Sequence, residues 1–62
     1  MPKTIMLDKI SFSTSFKLTK YSPYYYTLER KGTNSKNGRE MFLIERIKTG
    51  YRKWVYNKRV YL

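Results

Sequence analysis

Hydrophobic and polar residues alternate in several short runs along this chain, and a period of two is the signature of half-buried β-strands. Over residues 11–18, Phe12, Thr14, Phe16 and Leu18 fall on one side, and Ser11, Ser13, Ser15 and Lys17 on the other. Ser22-Pro23 interrupts the pattern. It resumes over residues 24–31, with Tyr24, Tyr26 and Leu28 facing one way and Tyr25, Thr27 and Glu29 the other. Aromatic and β-branched residues suit that pleated surface. The stretch Gly32-Thr33-Asn34-Ser35-Lys36-Asn37-Gly38 then supplies small polar residues and an Asn-Gly pair, which take up the positive φ angles of a hairpin connection. A further strand is predicted over 40–48 and a second tight turn at Thr49-Gly50. A final strand is predicted over 52–61, with Trp54, Tyr56 and Val60 on one face.

Nowhere do apolar residues recur at three and four over a window long enough for an ordinary helix. The pattern therefore predicts an all-β fold, a small antiparallel sheet of three to four strands or a half-open barrel. Residues 1–10 mix apolar and charged residues without a clear period, and they are expected to form an extended N-terminal arm. Residues 11–62 are left as a single small β domain, with no internal repeat, domain boundary or low-complexity tract.

Length narrows how such a fold is stabilised. A domain of about 60 residues buries only about 60% of the surface its unfolded chain exposes, so small domains usually carry a staple. This chain of 62 residues has no cysteine and no histidine, which removes disulfides and the common zinc spacings. No cofactor or metal is expected. Stability has to come from packing or from a partner.

Charge says what that partner is. With 14 Lys and Arg against four acids the formal net charge is +10, so the compact chain repels itself, and a polyanion that binds only the folded form would stabilise it. The longest purely apolar run, Met41-Phe42-Leu43-Ile44, is far short of the roughly 20 residues a spanning helix needs. No membrane partner is expected. The start of the chain lacks a long apolar core and a small-residue cleavage site, so secretion is not expected either.

Enzymatic chemistry finds few groups to work with. Acid–base or nucleophilic catalysis usually needs a nucleophile with a base or paired carboxylates, and the chain offers only Asp8, Glu29, Glu40 and Glu45 beside its hydroxyls. Each acid adjoins a basic residue in sequence: Lys9, Arg30, Arg39 and Arg46 respectively. Surface pairing explains them better than a two-carboxylate site. We expect no enzyme and no small-molecule substrate.

The informative segment is residues 46–59, where Arg46, Lys48, Arg52, Lys53, Lys58 and Arg59 occur without one acid, interleaved with Tyr51, Trp54 and Tyr56. Lys and Arg neutralise phosphates and release counterions, while aromatic faces stack on unpaired bases. The six cations are expected to contact phosphate, with Lys17, Lys20, Lys36 and Arg39 as a secondary set. Trp54 is expected in the core, because a chain this small has one large anchor to use. Tyr24-Tyr25-Tyr26 divides across both faces of its strand, so at least one ring should be exposed, and Tyr25 is the stacking candidate. Lys36-Asn37-Gly38-Arg39 reads equally as a phosphate grip of backbone N–H groups and two cations or as a soluble hairpin tip.

These elements resemble the bacterial-type large-subunit ribosomal protein thirty-three family. Its opening is similar to Lys9-Ile10-Ser11-Phe12-Ser13-Thr14-Ser15, and its aromatic strand to Tyr25-Tyr26-Thr27 with Arg30-Lys31. Its closing hairpin is similar, without a gap, to the run from Phe42-Leu43-Ile44 through Gly50-Tyr51-Arg52-Lys53-Trp54-Val55. Lys48-Thr49 stands where that family usually has Asp-Pro, and the central loop here is longer. The small-subunit ribosomal protein sixteen family is also similar, at Pro23-Tyr24-Tyr25, Asn37-Gly38-Arg39 and Ile44-Glu45-Arg46. Both resemblances imply a structural constituent of the ribosome that binds ribosomal RNA beside neighbouring ribosomal proteins. Some members of the first family hold zinc through four cysteines, which this chain lacks.

The expected place is therefore a ribosome, in the cytoplasm or in the mitochondrial matrix, the latter because richness in Lys, Asn and Tyr points to an AT-rich coding genome. The alternative is a phage or bacterial β module that binds DNA or a host protein through its sheet.

Overall fold

In the computed structural model, which describes residues 3–62, six short strands and one 3-10 turn form two antiparallel sheets around one core. The four-stranded sheet has the order β2 (Ser15–Phe16), β3 (Tyr26–Thr33), β4 (Glu40–Arg46), β5 (Arg52–Tyr56). The two-stranded sheet pairs β1 (Thr4–Met6) with β6 (Arg59–Tyr61). A bridge sews the two sheets together, Lys17 and Tyr61 exchanging both backbone hydrogen bonds at 2.7 and 2.9 Å. This is the all-β antiparallel architecture that the alternation predicts.

Alternation on β4 sets the inside. Phe42 and Ile44 are fully buried, and their ladder partners share their face: Val55 and Lys53 on β5, Lys31 and Leu28 on β3. Leu7, Ile10, Phe16, Tyr26 and Val60 complete the core, with Ile5, Leu18 and Val55 packed against it. Strict alternation along β3 would next aim Arg30 and Gly32 inward. A register shift between Leu28 and Arg30 prevents this, because the extra residue Glu29 flips the parity and sends Arg30 outward. Gly38 and Gly50, at φ 70° and 74°, close the β3–β4 and β4–β5 connections, where other residues would be strained.

Four expectations are corrected. The segment expected to be an extended arm is instead, over its described residues, β1 followed by the 3-10 turn Leu7–Lys9, and it buries Leu7 and Ile10; residues 1 and 2 lie outside the described residues. Leu7 N–H donates to the Lys58 carbonyl at 2.9 Å, and the Asp8 N–H to Asn57 Oδ1 at 3.1 Å. The absence of period over these residues reflects a strand of three residues running straight into a turn.

The strand expected over residues 11–18 shrinks to Ser15–Phe16. Ser and Thr side chains compete with strand hydrogen bonds, and here Thr14 N–H donates to the Ser11 carbonyl while the two hydroxyls meet at 2.7 Å, leaving Phe12 exposed. The final strand over 52–61 breaks at Asn57 and Lys58, where the chain crosses from one sheet to the other and delivers Val60 to the core.

Trp54 and Tyr56 are on the opposite face from the one expected. Strand β5 carries apolar residues on both sides, and a choice of one parity moves all of them together. Its pairing of Val55 with the buried Phe42 turns Val55 inward, so Trp54 faces out at 44% exposure and is not core.

Because the core is closed by residues near both ends of the chain, Leu7 carries more of the stability than its position in a terminal segment implies. Leu→Ala at a fully buried site costs about 2–5 kcal/mol, against a total of about 3–9 kcal/mol for a domain this size. Leu7→Ala is expected to lose most of the cooperative urea transition followed by circular dichroism. An unshifted midpoint would mean that the segment does not dock.

Candidate nucleic-acid interface

The β4–β5 turn folds back onto the residues that lead into β3, and this contact assembles a tyrosine-rich cationic end. Gly50 N–H donates to the Arg46 carbonyl and Arg46 N–H to the Tyr51 carbonyl, both at 2.8 Å, which closes the turn. Ile47 N–H donates to the Tyr25 carbonyl at 3.0 Å, which ties the turn to β3. Four tyrosines surround the junction with exposed rings: Tyr21, Tyr24, Tyr25 and Tyr51.

Arg46 is the hub of this end. It pairs with Tyr26 in the ladder, and its Nε and Nη2 donate to the Tyr26 hydroxyl at 3.3 and 3.2 Å. Its guanidinium carbon lies 4.4 Å from the Tyr24 ring centroid, 5.6 Å from Tyr51 and 5.7 Å from Tyr26. A delocalised cation over the negative faces of aromatic rings is attracted to them, and partial desolvation strengthens the effect. Arg46 therefore braces the rings, with part of its hydrogen-bonding capacity already used.

The neighbouring lysines are held more loosely. Lys17 Nζ donates to the Lys20 carbonyl at 3.1 Å and stands 5.8 Å from the Tyr25 ring, and Lys20 Nζ stands 5.4 Å from Tyr21. Lys48 projects from the exposed turn, and Lys53 Nζ lies 5.9 Å from Tyr26. Among the residues singled out in the sequence, Lys17, Lys20, Tyr25, Arg46, Lys48 and Lys53 thus share one end of the molecule.

The others lie elsewhere. Lys36 and Arg39 belong to the β3–β4 connection at the opposite end of β4, and Lys58 and Arg59 to the crossing into the two-stranded sheet. The connection is not a phosphate grip of free N–H groups. Lys36 N–H donates to Asn34 Oδ1, Gly38 N–H to the Asn34 carbonyl and Arg39 N–H to Asn37 Oδ1, at 2.8, 2.8 and 2.9 Å. Asn34 and Asn37 side-chain amides also donate to the Tyr56 hydroxyl, and the Arg39 guanidinium carbon lies 4.3 Å from the Tyr56 ring.

Arg52 makes the single ion pair among the described residues, its Nε 2.8 Å from Glu45 Oε1. Adjacent sequence position suggested Arg46 for Glu45. The ladder instead places Arg52 directly across from Glu45, while Arg46 points to the other face. The Arg52 hydrogen bond holds the Glu45 carboxyl below the usual carboxylate range, and the same pair raises Arg52.

That Tyr24 and Tyr51 share the Arg46 guanidinium is not legible in the sequence. Their juxtaposition depends on the β4–β5 turn folding back onto the residues ahead of β3, and no local period encodes it. The described residues enclose no cleft for a small molecule and contain no cluster of three His, Cys, Asp or Glu side chains. No described helix is long and apolar enough to cross a membrane. No protein-family model, curated protein or solved structure matches the chain. What the molecule offers a partner is its outer surface.

The ion pair gives a direct test of the ladder geometry. A carboxyl whose folded pKa is depressed adds stability above its unfolded pKa and loses it as pH falls through the folded value. Arg52 is largely exposed and Glu45 half-buried, so the effect on stability is small and screened by salt. Carboxyl-carbon NMR titration is expected to find Glu45 below the usual glutamate range, and Arg52→Gln to move it up toward that range. A Glu45 midpoint unaffected by that substitution would remove the pair.

Proposed function

We propose that this chain is a structural RNA-binding protein of the ribosome, held on ribosomal RNA through the tyrosine-rich cationic end. The observation that carries the reading is the clustering there of Lys17, Lys20, Arg46 and Lys48 with exposed Tyr21, Tyr24, Tyr25 and Tyr51 on a chain of net charge +10. Phosphate neutralisation supplies affinity, and the tyrosine faces supply stacking for unpaired bases, at about 1–3 kcal/mol each. Phosphate contacts are blind to sequence, so this surface recognises the form and charge of its RNA more than a particular motif.

The ribosomal assignment leans on the resemblance of residues 42–55 to the closing hairpin of the large-subunit family, and those residues run through β4, its turn and β5 without interruption. A polyanion that binds only the folded form adds stability by mass action, which offsets the self-repulsion of the free chain. The competing reading is a module that binds DNA or a host protein through its sheet, and it would use the open face that carries the half-exposed Trp54.

Two measurements test the proposal. On a sucrose gradient the chain is expected to migrate with ribosomal subunits and to remain there at moderate salt, whereas migration as free protein would overturn the ribosomal assignment. For purified RNA, the slope of log affinity against log salt falls by about 0.7 for each single-strand phosphate that the protein ceases to neutralise. Lys20→Gln with Lys48→Gln, both at exposed positions, is expected to lower it by about 1.4. An unchanged slope would move the interface away from this end.

A further inference from the structure

The core lies wholly on one side of the four-stranded sheet, and the other side is open. Pairing places three rows of residues across that open side: Gly32, Met41 and Tyr56; Arg30, Leu43 and Trp54; Thr27, Glu45 and Arg52. Trp54 stands on β5, yet Cη2 and Cζ3 of its indole lie 3.2 Å from where a Cβ on Gly32 of β3 would be. Strands are about 4.8 Å apart, so β5 and β3 are separated by about twice that distance. To span the gap, the indole must lie along the sheet and cross β4 over Met41 and Leu43. It cannot stand upright.

Gly32 makes this possible. It is not among the glycines with positive φ, so its backbone conformation is open to other residues. Its missing side chain matters because it leaves room for the ring. A flat indole presents one π face to the sheet and the other to solvent, in keeping with its 44% exposure.

The rim of this platform is cationic on one side. Arg30 lies in the same row as Trp54, and Arg39 is seated on the Tyr56 ring at 4.3 Å in the adjoining row. Neither makes an ion pair among the described residues. On the other side Glu45 and Arg52 neutralise each other, and this row bounds the platform. A solvent-facing aromatic face with unpaired guanidinium groups beside it matches the chemistry of a nucleotide, a flat base joined to an anionic phosphate.

We infer that the open sheet face binds a single-stranded RNA segment, one unpaired base stacking on Trp54 and the adjoining phosphates resting on Arg30 and Arg39. The inference rests on the RNA-binding reading above and adds a second contact surface, separate from the tyrosine-rich end. A duplex keeps its bases stacked on one another and has none to place on the indole, so the face selects unpaired strands.

Trp54 is the only tryptophan in the chain, so its fluorescence reports this face alone. The intact protein is titrated with a dye-labelled, unstructured RNA oligonucleotide and with a blunt RNA duplex of the same length. Anisotropy of the dye reports binding of any kind, and tryptophan fluorescence reports stacking. The single strand is expected to quench Trp54, and the duplex to bind without quenching. Single-strand binding with unchanged tryptophan fluorescence would overturn this inference and leave the RNA-binding reading standing. No anisotropy change with either RNA at low salt would overturn both.

Substitutions separate stacking from packing. Trp54→Leu is expected to weaken single-strand binding by about 5- to 150-fold, the range one stacked base supplies, and to leave duplex binding unchanged. Trp54→Phe, which keeps a ring, is expected to retain most of the affinity. Gly32→Val fills the floor beneath the indole and is expected to lower single-strand affinity while removing no charge. Equal single-strand affinity in the Leu and Phe variants would show that the indole serves only to cover Gly32, and the proposal would fail.

Discussion

Phe42 and Ile44 point inward from a strand that is hydrogen-bonded on both sides, so their parity is imposed on β3 and β5 alike. Val55 turns in because it is paired with Phe42, and Trp54 and Tyr56 are therefore turned out. Leu28 turns in because it is paired with Ile44, and the Glu29 irregularity then releases Arg30 from following it. The interior also needs a lid. Burying a side chain of this kind is worth about 1.5–3 kcal/mol, and Leu7, Ile10 and Val60, from the two ends of the chain, supply that cover. A cysteine-free chain of this size thus closes its core by bringing its ends together, and the Lys17–Tyr61 bridge holds the seam.

What was legible in the sequence follows from the same constraint. Strands β3 and β4 could be read because Tyr26 and Leu28 alternate with Thr27 and Glu29, because Met41-Phe42-Leu43-Ile44 is a short apolar run between turn residues, and because Gly38 and Gly50 sit where the turns need positive φ. The face of β5 could not be read, since Trp54 and Tyr56 are as apolar as Val55 and only the partner strand distinguishes them. Phe12 and Phe16 looked equivalent by period, yet hydrogen bonds between Ser11 and Thr14 curl the chain before β2 begins. The docking of residues 4–10 left no periodic trace, because an edge strand of three residues and a single turn are too short to show one. At the candidate interface, residue types were readable and their distribution was not. The cations of residues 46–59 form one run in sequence, and the strand reversals divide them among an end, an open face and a crossing.

That division changes what the charges do. A net charge of +10 on a molecule with a radius of gyration of 11.4 Å exerts strong self-repulsion. Arg46 and Arg39 are placed against tyrosine rings, which supply a partly compensating negative face without a carboxylate. Arg52 takes the one carboxylate directly across the ladder. These three arginines are thereby fixed in geometry, whereas Lys20, Lys36, Lys48 and Lys58 stay exposed and able to follow a phosphate. Seven tyrosines in so short a chain have two uses here, of which Tyr26 shows the first by packing its ring in the core on Phe16 and giving its hydroxyl to Arg46. The exposed rings around it show the second.

Strand β5 connects the two surfaces on which the proposed contacts lie. Its odd-numbered residues Lys53 and Val55 face the core side, with Lys53 beside Tyr26, and Tyr51 just ahead of the strand faces Arg46. Its even-numbered residues Arg52, Trp54 and Tyr56 cross the open face. One strand rising about 3.4 Å per residue therefore carries an aromatic or cationic group on each side within roughly 14 Å. A single RNA strand leaving the tyrosine-rich end meets the neutral Glu45–Arg52 row before it reaches Trp54, so the two sites are electrostatically separate along the path a phosphate chain would take. Affinity at the tyrosine-rich end should accordingly respond to salt more steeply than stacking on Trp54, because counterion release follows the number of phosphates neutralised and not the number of bases stacked.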